Sequence, residues 1–151
     1  MFKKLFVLAA VVAFTLSLAG AALSSDKAAD VVGPKVKSMV ETTKAAITKV
    51  PASAVKAAID SKEKAVFLDV RDGGEFSAGH LPGAVNISRG TLEMNVADKI
   101  PELDAKVYVY CKTAARSALA TKTLNDLGYK NAVLMDAQYA DWVKAGYPVE
   151  R

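Results

Sequence analysis

The stretch "VYVYCKTAARSALATKTLNDLG", residues 107–128, has a strand pattern and a helix pattern on either side of the chain's one cysteine. Valine and tyrosine alternate up to the cysteine, which is typical of a buried strand. Apolar residues recur at helical spacing over 117–127, and Gly128 is a typical helix stop. The residues expected to face inward are Ala118, Leu119, Leu124 and Leu127. The stretch predicts a strand, a short loop that begins at Cys111, and a helix.

The same alternation of strand and helix continues on both sides of this stretch. Short apolar runs predict strands at 64–70, 84–88, 106–110 and 131–135. Helices are expected from Pro34 to Ile47, after Pro51, briefly within 73–80, at 91–100 and at 138–146. This order predicts an α/β domain with a mainly parallel sheet and helices on both faces. Ligands bind outside the carboxyl ends of such strands, which is where Cys111 lies.

The N-terminus has the features of a secretory signal peptide. Lys3 and Lys4 precede an apolar run over Leu5–Leu18, and small residues follow it. The run is short for a membrane span, which needs about 20 residues. We therefore expect residues 1–22 to be removed and the mature protein to be periplasmic. An uncleaved signal would be its only membrane contact.

Residues 23–46 form an extension ahead of the main domain, which spans 47–151. Residues 23–33 are small and polar and are expected to be flexible. The helix that follows is amphipathic. Two roles for it stay open at this point, packing on its own domain and contact with a second chain.

Composition excludes several classes of function. The net charge of +4 is small and scattered, which argues against nucleic-acid binding. One cysteine cannot form an intramolecular disulfide, and one cysteine with one histidine does not make a zinc site. We expect no metal and no cofactor. His80 is far from Cys111 in sequence and is expected to be a turn residue whose ring hydrogen-bonds to the backbone.

The loop after the cysteine favours thiolate chemistry. The helix N-terminus presents unpaired N–H groups and a positive dipole end, and the segment "KTAAR" can curl into an anion-binding nest. Lys112 and Arg116 add positive charge, and the small Ala114 and Ala115 leave the nest open. The site is therefore expected to stabilise an anionic sulfur and to attract anionic substrates.

A second motif, "FLDVRDGGEFSAGHLPGAVNIS" (67–88), resembles the signature of the rhodanese superfamily. The segment "LGYKNAVLMDAQYADWVKAGYPVE" (127–150) resembles that family's C-terminal stretch, so the likeness covers about residues 47–150. It implies a single rhodanese-like domain with a mainly parallel five-stranded sheet, preceded here by the extra helix. It also implies a sulfurtransferase in which Cys111 attacks a sulfane sulfur donor and carries the sulfur as a persulfide.

Within the superfamily, the closer resemblance is to the exported polysulfide-sulfur transferases of sulfur-respiring bacteria. It implies polysulfide as donor, a terminal reductase or a thiol as acceptor, and a homodimer. The implied substrate-binding residues are Lys112, Thr113, Ala114, Ala115, Arg116, Arg89 and Arg71. Alanine stands at 114 and 115, where many members have glycine, and Asp136-Ala137 stands where many have Gly-Gly.

Alternatives remain open for the basic residues and for the function. Arg71 could form an ion pair with Glu75, and Arg89 could be a solvated surface residue. Asp69 is expected to accept loop N–H groups. The other functions considered are a persulfide carrier with little turnover and a single-thiol redox sensor. A phosphatase is the weakest, because phosphatases related to the rhodanese superfamily have one more loop residue. The resemblance therefore implies that the four residues between Cys111 and Arg116 suit sulfur rather than phosphate.

Overall fold

A computed structural model of the chain describes residues 27–151. The predicted signal peptide lies outside these residues. The helices are α1 (Ala28–Ala46), α2 (Ala52–Asp60), α3 (Gly73–Ala78), α4 (Leu92–Lys99), α5 (Ala115–Asp126) and α6 (Tyr139–Lys144), with a 3-10 turn at Arg89–Thr91. The strands are β1 (Lys49–Val50), β2 (Val66–Asp69), β3 (Val85–Asn86), β4 (Val107–Tyr110) and β5 (Ala132–Met135).

The five strands form one sheet in the order β1-β5-β4-β2-β3, and every pairing is parallel. The expected architecture is therefore confirmed. β4 is the central strand, and Cys111 follows it directly. The sequence patterns located four of the strands but not β1, because a strand of two residues is too short to show a period.

Alternate residues of each strand face opposite layers of helices. Val107 and Val109 of β4 pack in one core with residues of α4 and α5. Tyr108 and Tyr110 pack in the other core with residues of α2 and α6. Trp142 of α6 is fully buried there. The sheet is thus covered on both faces.

The N-terminal helix is longer than the sequence indicates. α1 begins at Ala28 and contains Pro34, so the expectation of a flexible segment through residue 33 is wrong over 28–33. One proline removes one helical hydrogen bond. Ala28 and Ala29 at the start of the helix and Asp30 in its first turn favour the helical conformation. No helix among residues 27–151 is long and apolar enough to cross a membrane.

The two halves of α1 have different surroundings. Val40 is buried where the C-terminal half packs against α5, and the Lys44 ammonium lies 2.9 Å from the Asp136 carboxylate. Val32 and Val36 in the N-terminal half, and Met39 just past the midpoint, are 52%, 44% and 49% exposed. Packing on its own domain is therefore shown for one half of the helix only.

The end of α5 also differs in one detail from the prediction. Ala118 and Leu124 are fully buried as expected and Leu119 is half-buried, but Leu127 is 47% exposed. Leu127 is the cap residue, and the chain turns away there. The N–H groups of Gly128 and Tyr129 donate to the carbonyls of Asn125 and Leu124, which is the Schellman pattern. Gly128 has a φ of 109°.

Candidate active site

Cys111 stands at the carboxyl end of the central strand, immediately before the loop that leads into α5. Its Sγ atom accepts hydrogen bonds from the backbone N–H and from the hydroxyl of Ser117, both at 3.3 Å. Ser117 is in the first turn of α5, where backbone N–H groups favour an anion. Cys111 is fully buried. The sulfur is therefore held in a fixed position against the start of a helix.

The loop offers several backbone donors. None of the N–H groups of Lys112, Thr113, Ala114, Ala115 and Arg116 donates a hydrogen bond to another residue of the described chain. Successive unpaired N–H groups next to a helix N-terminus make an anion-binding nest. The sequence predicts such a nest, and the loop leaves five successive donors available for it.

Ala114 is the N-cap of α5 and has a left-handed backbone conformation, with φ 65° and ψ −1°. This conformation is strained for a residue with a Cβ atom. Packing opposes the strain, because Ala114 is 3% exposed and lies in a small cluster with Ala118 and Leu134. Ala115 is already helical. Alanine at 114 therefore keeps the turn that glycine would adopt more easily.

Arg116 does not stand alone at the loop. Its Nη2 atom donates to Oε1 and Oε2 of Glu75 at 3.1 and 2.8 Å, and its Nη1 atom lies 3.4 Å from Oδ2 of Asp72. We call these three residues the Arg116 cluster. Burial alone would lower the pKa of Arg116. Hydrogen bonding and attraction to Glu75 outweigh burial and, with smaller contributions from Cys111 and Asp72, raise that pKa.

Glu75 is ionised within this cluster. Burial alone would favour its neutral form. The hydrogen bonds from Arg116 and from the Asp72 backbone outweigh burial and hold the pKa of Glu75 below its usual range. The alternative ion pair between Glu75 and Arg71 is therefore not formed, because Glu75 pairs with Arg116.

Lys112 and Thr113 are exposed at the outer side of the loop. The Lys112 ammonium makes no ion pair with any of residues 27–151. The Lys112 carbonyl accepts from the Tyr139 N–H at 3.0 Å, which ties the loop to the start of α6. Lys112 is thus free to meet an anion.

Arg71, which the resemblance predicts to contact the substrate, is buried beside Asp69. It is 4% exposed, and its Nη2 atom donates to Asp69 Oδ2 at 2.6 Å and to the Gly79 carbonyl at 2.7 Å. Its Nε atom lies 3.0 Å from both oxygens of Asp69. A buried cation engaged in this way is a structural element. Asp69 also accepts the Arg71 backbone N–H at 2.9 Å, as expected.

Arg89 is anchored some distance along α5. Its guanidinium donates to the Glu93 carboxylate at 2.9 Å and to the Thr123 hydroxyl at 3.1 Å. Thr123 follows Arg116 by seven residues, about 10 Å along the helix axis. The structure therefore does not bring the Arg89 guanidinium into the Arg116 cluster.

The histidine has the role expected from sequence. The Nδ1 atom of His80 lies 3.0 Å from the Phe76 carbonyl, and the imidazole stacks on the Phe76 ring. Among residues 27–151 no three histidine, cysteine, aspartate or glutamate side chains are grouped as a metal site.

Sequence reasoning missed three residues of the site, Ser117, Glu75 and Asp72. Ser117 follows directly after the loop arginine in the first helical turn, and this position could have identified it. Glu75 is 41 residues from Arg116, so only the folded chain shows the contact.

Comparison with known proteins identifies the domain. The rhodanese-like domain family matches residues 51–145. YrkF of Bacillus subtilis (strain 168), described as a sulfur carrier protein, is 32% identical over 96 residues, which are 64% of this chain and 51% of YrkF. Thiosulfate sulfurtransferase GlpE of Pseudoalteromonas translucida (strain TAC 125) is 29% identical over 84 residues, 56% of this chain and 78% of GlpE. The chain spans about half of YrkF and 23% of the MoeZ proteins of Mycobacterium tuberculosis that it also matches.

A solved structure shares the same fold over most of both chains. The 30 kDa polysulfide-sulfur transferase homodimer of Wolinella succinogenes is 28% identical, with a TM-score of 0.69 over 82% of this chain and 93% of that one. The parallel sheet, the cysteine loop at its central strand and the match over 51–145 agree with one another. The chain belongs to the rhodanese-like domain family.

Proposed function

We propose that this protein is a sulfurtransferase that carries sulfane sulfur as a persulfide on Cys111. The observation that supports it most directly is the loop after Cys111, whose five successive N–H groups have no hydrogen-bond acceptor among the described residues. The Cys111 sulfur at its start accepts hydrogen bonds from Ser117. Such a nest suits an anionic outer sulfur bound to Sγ. Relatives of the chain that act as sulfurtransferases, GlpE among them, agree with this chemistry.

The transfer has two balanced half-reactions. The Cys111 thiolate attacks a terminal sulfur of the donor, an Sγ–S bond forms, and the donor S–S bond breaks with its electron pair on the departing shortened polysulfide. An acceptor thiolate or cyanide then attacks the outer sulfur, and the electron pair of the Sγ–S bond returns to Cys111. No further oxidant or reductant takes part.

Polysulfide is the proposed donor. The exposed Lys112 ammonium, without an ion-pair partner in the described chain, would attract an anionic donor to the loop. The likeness to the Wolinella polysulfide-sulfur transferase supports the same choice.

A thiol or a partner reductase is the proposed acceptor. The predicted signal peptide supports export to the periplasm. N-terminal sequencing of the protein from a periplasmic fraction would test cleavage near residue 22.

Intact mass spectrometry tests the persulfide route. Reduced protein is exposed to polysulfide, freed of excess reagent, weighed, and then treated with cyanide. We expect added sulfur that cyanide removes as thiocyanate, and no addition to Cys111→Ser. Lys112→Ala should slow the uptake, whereas the distant exposed Lys99→Ala should not. Absence of added sulfur on reduced wild-type protein would reject the proposal.

A carrier with little turnover is the second candidate. The full burial of Cys111 favours it, because a persulfide there would be shielded from small acceptors. Single-turnover release to cyanide compared with steady-state turnover separates carrier from enzyme. The same burial disfavours the redox-sensor alternative, since a disulfide between two chains needs an accessible thiol.

We also propose that the protein forms a homodimer through the exposed stripe of α1, formed by Val32, Val36 and Met39. These residues continue the apolar face that buries Val40 against α5, and the Wolinella neighbour is a homodimer. Light scattering should show a dimer that Val36→Glu converts to monomer. Val143→Glu, at a residue 50% exposed on α6, is the matched control.

A further inference from the structure

The charge at the Cys111 loop is balanced, although the sequence suggests a basic site. Lys112 and Arg116 supply two positive charges, and Glu75 and Asp72 bring two negative charges to the same guanidinium. Glu75 makes the closer contact, with both of its oxygens within 3.1 Å of Nη2. An anion that reaches Arg116 therefore meets a group already paired with carboxylates.

We propose that Glu75, with a smaller contribution from Asp72, weakens the advantage that doubly charged sulfane donors have over singly charged ones at this site. This inference rests on the proposed sulfur transfer for its substrate class. The carboxylates reduce the field that would otherwise concentrate a dianion at the thiol. They also compete with the donor for the N–H groups of Arg116.

The electrostatic effect of Glu75 acts over a short range. A dianion such as thiosulfate is repelled by the Glu75 carboxylate about twice as strongly as a monoanion, since the energy is proportional to charge. Attraction to Lys112 and Arg116 scales in the same way, so removing one carboxylate favours the dianion over the monoanion. One unit of charge about 4 Å away changes such a preference by about fivefold where water screens the interaction, as at the 30% exposed side chain of Glu75.

The site permits a substitution that changes charge and little else. Glu75 is the N3 residue of α3, where its side chain accepts the Asp72 backbone N–H at 3.2 Å. Glutamine serves this capping role as well as glutamate does. Glu75→Gln therefore keeps the helix start and a hydrogen-bond acceptor for Arg116. Asp72→Asn is the graded companion, because Asp72 is 76% exposed and lies 3.4 Å from Arg116.

The first measurement needs no sulfur transfer. Cys111 of full-length protein is alkylated at neutral pH with iodoacetate, an anion, and with iodoacetamide, a neutral reagent of nearly the same size. The ratio of the two rates reports the charge around the thiol and cancels differences in access. We expect the iodoacetate-to-iodoacetamide ratio to rise about fivefold in Glu75→Gln and less in Asp72→Asn.

The matched control is Asp126→Asn, which also removes one negative charge but at the far end of α5, where Asp126 pairs with Lys122. Its ratio should equal that of wild type. An unchanged ratio in Glu75→Gln, or an equal rise in Asp126→Asn, overturns the inference. Failure of both reagents to alkylate the folded wild-type protein also overturns it, since a donor could not reach the thiol either.

The second measurement compares two donors that differ in charge. Thiosulfate is a dianion, and methanethiosulfonate is a monoanion of similar shape. Each loses its sulfane sulfur to the thiolate, and sulfite or methanesulfinate leaves with the electron pair of the broken S–S bond. We expect Glu75→Gln to raise kcat/KM for thiosulfate relative to methanethiosulfonate about fivefold, mainly through KM.

The two measurements separate the two hypotheses. A raised alkylation ratio in Glu75→Gln together with no sulfur transfer by wild type would reject the proposed function and keep the charge effect. Sulfur transfer by wild type with both ratios unchanged in Glu75→Gln would keep the function and reject the role of Glu75. A general loss of both donors' rates without a change in their ratio would show a structural role only.

Discussion

Ser117 donates two hydrogen bonds to the Sγ atom of Cys111, one from its backbone and one from its hydroxyl. Both donors belong to the first turn of α5, so the position of the sulfur is set by the helix and not by the loop alone. Ser117 is itself fully buried, and its carbonyl accepts from the Thr121 hydroxyl at 2.8 Å. The Thr121 hydrogen bond thus helps to hold Ser117 in the position from which it donates to the thiol.

Removal of the Ser117 hydroxyl should slow reactions of the thiolate. Ser117→Ala keeps the backbone N–H but loses one hydrogen bond to a charged group, which stabilises by about 1.5–3 kcal/mol. We expect about a tenfold slower alkylation of Cys111 and slower sulfur uptake. Thr123→Val is the control, because it removes a half-buried hydroxyl from the same helix that contacts Arg89 and touches neither Ser117 nor the sulfur. An equal effect of both substitutions would contradict a specific role for Ser117.

The buried pair of Asp69 and Arg71 should matter for stability. Arg71→Leu leaves the Asp69 carboxylate buried without its partner, which costs about 3–5 kcal/mol. Urea unfolding should show this loss, and the double variant Arg71→Leu with Asp69→Leu should recover part of it. A raised KM with unchanged stability in Arg71→Leu would instead support the substrate contact that the sequence suggested.

The ion pairs of Asp136 should give a pH-dependent contribution to stability. The hydrogen bond and attraction from Lys44, with a smaller part from Lys49, hold the pKa of Asp136 below its usual value. The contribution is therefore complete above the unfolded-state pKa of about 4 and is lost as the pH falls through the lower folded-state pKa. Unfolding free energies of wild type and Asp136→Asn should differ by about 1 kcal/mol at pH 7 and converge in acid, below the folded-state pKa of Asp136.

Constancy of that difference down to about pH 2 would contradict the assignment of the stabilisation to the ionised carboxylate. The exposed pair of Lys122 and Asp126 offers a comparison. Asp136→Asn breaks the ion pair with Lys44 of α1, whereas Asp126→Asn leaves that pair intact. Limited proteolysis should therefore release α1 only from Asp136→Asn.

The left-handed residues allow strain and packing to be separated. Lys62 and Ala114 have φ values of 53° and 65° and are the non-glycine residues with positive φ among residues 27–151. Lys62 is exposed, so Lys62→Gly should stabilise by about 0.5–1 kcal/mol through relief of strain. Ala114→Gly should gain less, because it also loses a buried methyl worth about 0.8 kcal/mol. Thermal unfolding of both variants measures the difference.

An Ala114→Gly variant that gains as much as Lys62→Gly would show that the Ala114 methyl adds nothing to the contact with Ala118 and Leu134. In either case the loop should keep its conformation, since glycine adopts the left-handed region freely. Sulfur uptake by Ala114→Gly should therefore remain near that of wild type.

Much of the fold follows from local patterns. The alternation over 107–110 and the helical spacing after Ala115 are periodic features that adjacent residues specify by themselves. The position of Cys111 at the strand's carboxyl end follows from the same pattern. The two-residue β1 and the early start of α1 escaped prediction, because the first shows no period and the second contains a proline.

The partners of the charged residues could not be predicted in this way. Arg71 and Arg116 are both arginines close to loops, yet one is buried against Asp69 and the other is shared by Glu75 and Asp72. The contacts of Arg116 join residues more than 40 positions apart. Sequence spacing contains no information on such distances.

The sequence by itself determined the strand, the loop, the helix and the single thiol between them, because backbone preference and apolar periodicity act over a few residues. Only the tertiary structure decided what surrounds that thiol. The fold brings Glu75 of α3 to Arg116 at the start of α5, and the parallel sheet places the Cys111 loop next to both. The charge of the site is therefore a property of the folded chain, since electrostatic interaction depends on distance in space and not on distance along the sequence.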